Sequence, residues 1–152
     1  MTEAEINKTL SDSDVYIRLT AITNKNATPN NIDKALSDTN AYVRMNAIRN
    51  PNASEANINK ALDDINQYTS EVAIRHQNAS SVNIDKALSH KDYFVRFHAI
   101  KNPNASLANI NKALSDNNIE IKLVAMNHPN ATKENKEKAY NDPELIAHLL
   151  KQ

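Results

Sequence analysis

Five histidines, His76, His90, His98, His128 and His148, are the side chains of this sequence best suited to metal ligation or proton transfer near neutral pH. They do not form a His-Glu-x-x-His zinc pair. The chain has no glycine, so no Gly-rich phosphate loop, and no cysteine, so no thiolate chemistry, disulfide or cysteine-held cluster. His76 and His128 fall at positions filled elsewhere by Asn and are read as helix-end residues. His90 stands where related positions carry Asp, and His98 lies in the middle of a helical segment. A metal centre would need several of these to converge from separated segments. No catalytic residue, metal ligand or cofactor is assigned, and an enzyme is the least expected class. Asn-x-Ser/Thr, the glycosylation acceptor pattern, begins at Asn26, Asn52, Asn78, Asn104 and Asn130. Its Ser/Thr reads better as a helix cap and its Asn as a turn residue.

The residues that do form a pattern are aromatic and basic. Tyr16, Tyr42, Tyr68 and Phe94 recur every 26 residues, and Arg49, Arg75 and Lys101 recur at the same interval seven places further on. His98 lies between Phe94 and Lys101. The offsets i, i+4 and i+7 put such residues on one side of a helix. Aromatic side chains beside Arg are the usual anchors of binding interfaces. The competing expectation is that the rings pack between neighbouring elements.

The elements that position this row are repeats. Residues 50–62, NPNASEANINKAL, return almost unchanged at 102–114 as NPNASLANINKAL. Numbered from the recurrent Asn, place nine holds Lys8, Lys34, Lys60, Lys86, Lys112 and Lys138. Place seven holds Ile6, Ile32, Ile58, Ile84 and Ile110, and place eleven Leu10, Leu36, Leu62, Leu88 and Leu114. Six units follow: 1–25, 26–51, 52–77, 78–103, 104–129 and 130–152, with the last as a cap. They are expected to form one helical-repeat domain over 1–152.

Each unit is expected to hold two short helices. Thr28, Ser54, Ser80, Ser106 and Thr132 cap the first, and Pro29 suits position N1. Ile at seven, Ala at ten and Leu at eleven form its apolar stripe. Asp14, Asn40, Asn66, Asp92 and Asn118 cap the second, followed by apolar places eighteen, twenty-two and twenty-three, as in Val43, Ala47 and Ile48. Asn50 before Pro51 and Asn102 before Pro103 end it. Helices of about nine residues are unstable alone, so they must bury their stripes against neighbours. The last unit has Lys136 and Tyr140 where others have Ile and Leu, a more polar outer face. With 24 Asn and no Gly, Asn is expected to take the helix-ending and turn positions.

Place thirteen is acidic in Asp12, Asp38, Asp64, Asp116 and Asp142, and place nineteen is cationic in Arg18, Arg44, Arg96 and Lys122. Pairing each cation with the acid of the following unit gives Arg18–Asp38, Arg44–Asp64, Arg96–Asp116 and Lys122–Asp142. The two exceptions, Ser70 and His90, then fall opposite one another, which is why this register is preferred.

The segments DTNAYVRMNAIRNPNAS and HKDYFVRFHAIKNPNAS resemble the D-x-D-x-x-V-R-x-x-A-x-x-N-P-x-[ST] rhythm of leucine-rich repeat variants, relatives of HEAT-like helical repeats. Val43-Arg44 and Val95-Arg96 match the motif's Val-Arg and Ile17-Arg18 is close, while Thr69-Ser70 departs from it. The resemblance implies an all-α solenoid, a right-handed superhelix, and a scaffold role without a reaction. It also fits a bacterial or phage origin.

Eighteen basic residues balance eighteen acidic ones, which gives no global attraction to nucleic acid or anionic membrane. No apolar run approaches a membrane span, and MTEAEINKTL has neither the basic nor the apolar region of a signal peptide. A cytoplasmic, monomeric or weakly oligomeric protein is expected. The expected function is binding of a protein or peptide through Tyr16, Tyr42, Tyr68, Phe94, Arg49, Arg75, Lys101 and His98, on a concave face. Nucleic acid, bound weakly through three basic residues, is the second reading. A structural role in a larger assembly is the third.

Overall fold

A computed structural model describes residues 1–151. All regular structure among them is helical, in twelve short helices. They divide into two compact units at Ala79/Ser80. The first holds α1 (Glu3–Thr9), α2 (Val15–Ile22), α3 (Pro29–Ala35), α4 (Ala41–Arg49), α5 (Glu55–Ala61) and α6 (Gln67–Ile74). The second holds α7 (Ser81–Ala87), α8 (Tyr93–Lys101), α9 (Leu107–Ala113), α10 (Ile119–Met126), α11 (Lys133–Tyr140) and α12 (Pro143–Leu149).

Within the first unit, α1 packs on α3 and α3 on α5, while α2 packs on α4 and α4 on α6. Each repeat therefore contributes one helix to each of two layers. The second unit repeats the scheme, with α7 on α9, α8 on α10 and α10 on α12. Place seven fills the first layer of each unit: Ile6, Ile32 and Ile58 in the first and Ile84 and Ile110 in the second are wholly buried. Val43, Ala47 and Ile48 on α4 and Val95, Ala99 and Ile100 on α8 are equally buried in the second layer. A buried Ile contributes about 1.5–3 kcal/mol, and helices this short depend on that burial to persist. Tyr140 is exposed on α11, and Asn135 and Ala139 are the residues that α11 buries.

The first helices start at the expected caps. Thr28 Oγ1 accepts the Asn31 N–H at 3.4 Å, and Asn31 Oδ1 accepts the Thr28 N–H at 3.1 Å. This is a capping box with Asn in the position usually held by Glu or Gln. The shorter residue has a reason. Asn31 is buried and its Nδ2 donates to the Glu3 carbonyl of α1, as Asn57 donates to Pro29 and Asn109 to Ser81. One side chain thus closes the box and joins two repeats. The first repeat has Glu5 there, exposed, closing the ordinary box on Thr2.

Asn does take helix ends, as the C-cap at Asn50, Asn102, Asn127 and Asn141, but not through the left-handed backbone that Gly would allow. No described residue has positive φ. Asn acts through its side chain. Asn50, extended before Pro51, donates from Nδ2 to the carbonyls of Ile22 and Asn24 at 2.9 and 3.1 Å, while its Oδ1 accepts the Asn52 N–H. Asn52 donates in turn to the carbonyls of Lys25 and Ala27, both at 2.8 Å. Carbonyls around one repeat boundary are satisfied by amides around the following boundary.

The ion pairs follow the inter-repeat register. Arg18–Asp38, Arg44–Asp64 and Lys122–Asp142 meet at 2.7 Å and Arg96–Asp116 at 2.8 Å. Each Arg also donates from Nη1 to two carbonyls of its own repeat, Arg44 to Asp38 and Thr39. The exceptions are settled locally, in different units. Ser70 is buried and its Oγ donates to the Ala61 and Leu62 carbonyls. His90 Nδ1 accepts the Asp92 N–H at 3.0 Å, the bond that Asp38 Oδ1 makes with Asn40.

Candidate binding surface

Burying places eighteen, twenty-two and twenty-three turns places seventeen, twenty-one and twenty-four outward. In the first unit Tyr16, Tyr42 and Tyr68 are 74%, 67% and 69% exposed. These values separate them from the packed residues of the same helices. The three rings start from equivalent places on α2, α4 and α6, which lie side by side. On α2 the rest of the row is uncharged and self-satisfied: Thr20 donates to the Tyr16 carbonyl and Thr23 to Leu19. On α4 Asn46 donates to the Tyr42 carbonyl.

Charge enters at place twenty-four. Arg49 and Arg75 are both exposed and line one groove of 460 Å³ with Pro51, Val72, His76 and Gln77. His76, on the wall, is buried. Its Nδ1 accepts the Asn78 N–H and its Nε2 lies 3.1 Å from the Asn50 carbonyl. The N–H contact requires a lone pair on Nδ1, so the ring proton is on Nε2 and is donated to Asn50. The imidazole thereby copies the amide of Asn50, with Nδ1 for Oδ1 and Nε2–H for Nδ2–H. His128 does the same with Asn130 and Asn102. Helix-end placement was foreseeable for both; their role as links between repeats was not.

In the second unit Phe94 is half-exposed, and His98 is half-buried with its ring edge-on to Phe97 at 5.8 Å. Lys101 Nζ lies 5.2 Å from the Phe97 ring centroid, within cation–π range. Tyr93 stands 5.1 Å from Phe94 and 5.6 Å from Phe97, and its hydroxyl donates to the Glu120 carboxylate. Burial first and then this bond push the Tyr93 hydroxyl up to about 12. Tyr93 and Phe97 escaped the sequence reading because they break the period. Their places hold Ala41 and Met45 on α4, and Gln67 and Glu71 on α6. The density of rings in DYFVRFH was the available signal. Lys101 also lines a groove of 350 Å³ with Leu123, Val124, Asn127, His128 and Pro129.

No set of three or more His, Asp or Glu side chains capable of holding a metal ion occurs among the described residues. No described helix is long and apolar enough to cross a membrane. No protein-family model matches the chain, and no curated protein sequence matches it. Its placement as a helical-repeat protein rests on the 26-residue spacing of paired helices and their recurring contacts.

Proposed function

We propose that this chain is a non-enzymatic helical-repeat scaffold that binds a protein or peptide through the exposed row of its second helices. Tyr16, Tyr42, Tyr68, Arg49 and Arg75 form the row in the first unit, and Phe94, His98 and Lys101 in the second. The observation that carries the reading is the exposure of the three tyrosines, at equivalent places on helices that bury Ala21 and Ile22, Val43, Ala47 and Ile48, and Thr69, Ala73 and Ile74. Large aromatic side chains held on short, mutually braced helices bind with little loss of entropy.

Nucleic acid is the alternative partner, with the basic residues on phosphates and the rings stacking on bases. Two features favour protein. The chain has no net charge. The place of the aromatic is taken on α10 by Glu120, whose carboxylate faces Tyr93 rather than any cation of the row. The test is recovery of partners by the full chain and by Tyr42→Ala/Tyr68→Ala, followed by titration of the recovered partner at low and physiological salt. The scaffold reading expects loss of the partner in the variant and weak salt dependence. Equal recovery by both proteins overturns it, and a steep fall in affinity with salt assigns the surface to nucleic acid.

A further inference from the structure

Building on the scaffold reading, we infer that the groove between α4 and α6 is a carboxylate-binding subsite for an acidic peptide segment. The chain has five arginines. Three of them, Arg18, Arg44 and Arg96, are held by aspartates of the next repeat. Arg49 and Arg75 are the other two. Neither guanidinium has an ion pair or a side-chain hydrogen bond among the described residues, and both line the same groove. The groove contains no carboxylate, and His76 adds none of its own donors because both ring nitrogens are bound to backbone. Two exposed guanidinium groups over one concavity repel each other until an oxyanion sits between them. Their planar forks suit a carboxylate, which can accept two parallel bonds.

The second unit supplies an internal comparison. Its groove uses the same repeat places, with Lys101 for Arg49, Val124 for Val72, Asn127 for Arg75 and His128 for His76. There one cation is lost, and the other lies over Phe97. Walls of the same kind therefore carry two free guanidinium groups in one unit and one engaged ammonium in the other. The floor of the first groove adds Val72 and Pro51, apolar surface for a side chain beside the acid. Glu71, one turn before Arg75 and bonded to Gln67 at 2.9 Å, opposes a run of phosphates along α6. An acidic residue next to an apolar one fits this lining better than a polyanion does.

The full chain, labelled with 15N, is titrated with acetyl-Glu-Leu-Glu-amide while the Nε–Hε resonances of Arg49 and Arg75 are followed. Both are expected to shift saturably. Arg75→Asn, which installs the second unit's residue at an exposed position, should weaken the response about tenfold, as loss of a charged hydrogen bond does. Lys91→Ala, at an exposed position outside the row, should leave it unchanged, and melting of both variants with wild type shows that they are folded. The proposal is overturned if neither resonance shifts, or if acetyl-Gln-Leu-Gln-amide shifts them equally. It is also overturned if inorganic phosphate matches the peptide, or if an oligothymidylate binds more tightly. Loss of the peptide response with Tyr42- and Tyr68-dependent partner binding intact removes the subsite alone. The converse removes the scaffold reading alone.

Discussion

Arg44 reaches out of its own repeat to Asp64, meeting both carboxylate oxygens at 2.7 and 2.9 Å, while its remaining nitrogen holds the Asp38 and Thr39 carbonyls. The pair is little exposed, so it is screened less than a surface ion pair. A double-mutant cycle with Arg44→Met and Asp64→Asn, read by urea unfolding, should give a coupling energy of about 1–3 kcal/mol. A coupling below about 0.5 kcal/mol would reduce this ladder to decoration.

The third repeat carries a defect that can be repaired. Thr69 sits at place eighteen, where the other complete repeats have Ile17, Val43, Val95 and Ile121. It is wholly buried and its hydroxyl has no hydrogen-bond partner among the described residues. Replacing a buried unsatisfied hydroxyl by a methyl of the same shape removes a desolvation cost of about 1–3 kcal/mol. Thr69→Val should raise stability by about 1 kcal/mol or more, measured by thermal or urea unfolding. Destabilisation would mean that the hydroxyl has a partner in solution.

Acid should loosen the ladder in a defined order of pH. Burial raises the Asp38 carboxyl, but its bonds to Arg18 and the Asn40 N–H outweigh this and hold it below the ordinary 3.8. Asp142 is held below the same value chiefly by Lys122, with help from the Leu145 N–H. A carboxyl lowered in the folded state stabilises fully above its unfolded value, and that stability is lost as pH falls through the folded one. Asp38→Asn should therefore be less stable than wild type at neutral pH, with the gap closing below about pH 4. Unfolding midpoints across that range check it. A gap that persists unchanged to about pH 2 would remove the pair as its cause.

The equivalence of His and Asn at place twenty-five is directly testable. His76→Asn keeps one acceptor for the Asn78 N–H and one donor for the Asn50 carbonyl, so it should change stability by no more than about 0.5 kcal/mol. His76→Leu leaves the buried Asn50 carbonyl with the Ala53 N–H alone and takes the acceptor from the Asn78 N–H, and should cost about 1 kcal/mol or more. Similar unfolding midpoints for the two variants would show that volume, and not hydrogen bonding, governs the site.

Much of this was legible in the sequence because the repeat states each packing problem several times. Ile32 and Ile58 mark the core by recurrence, and Ser70 and His90 fixed the ladder by departing from it together. The place of Asn at helix ends was legible, but how it works there was not. Composition shows that Gly is missing, but only the backbone shows that no turn needs positive φ and that Asn50 and Asn52 work by reaching the previous repeat. The groove was hidden for a related reason. Arg49 and Arg75 were legible as members of one row, but nothing in one dimension says that Pro51 and Val72 close a groove between them. Tyr93 and Phe97 were missed because a search for period passes over what occurs once.

Tyr16, Tyr42 and Tyr68 can serve a partner only if they have no packing duty. Thermal and urea unfolding of Tyr16→Ala/Tyr42→Ala/Tyr68→Ala test this most directly. The exposure of the three rings predicts a loss of no more than about 0.5 kcal/mol for each. A loss of about 3 kcal/mol or more per ring, the cost of emptying a core, would show that they brace the repeats and are not held out for a partner.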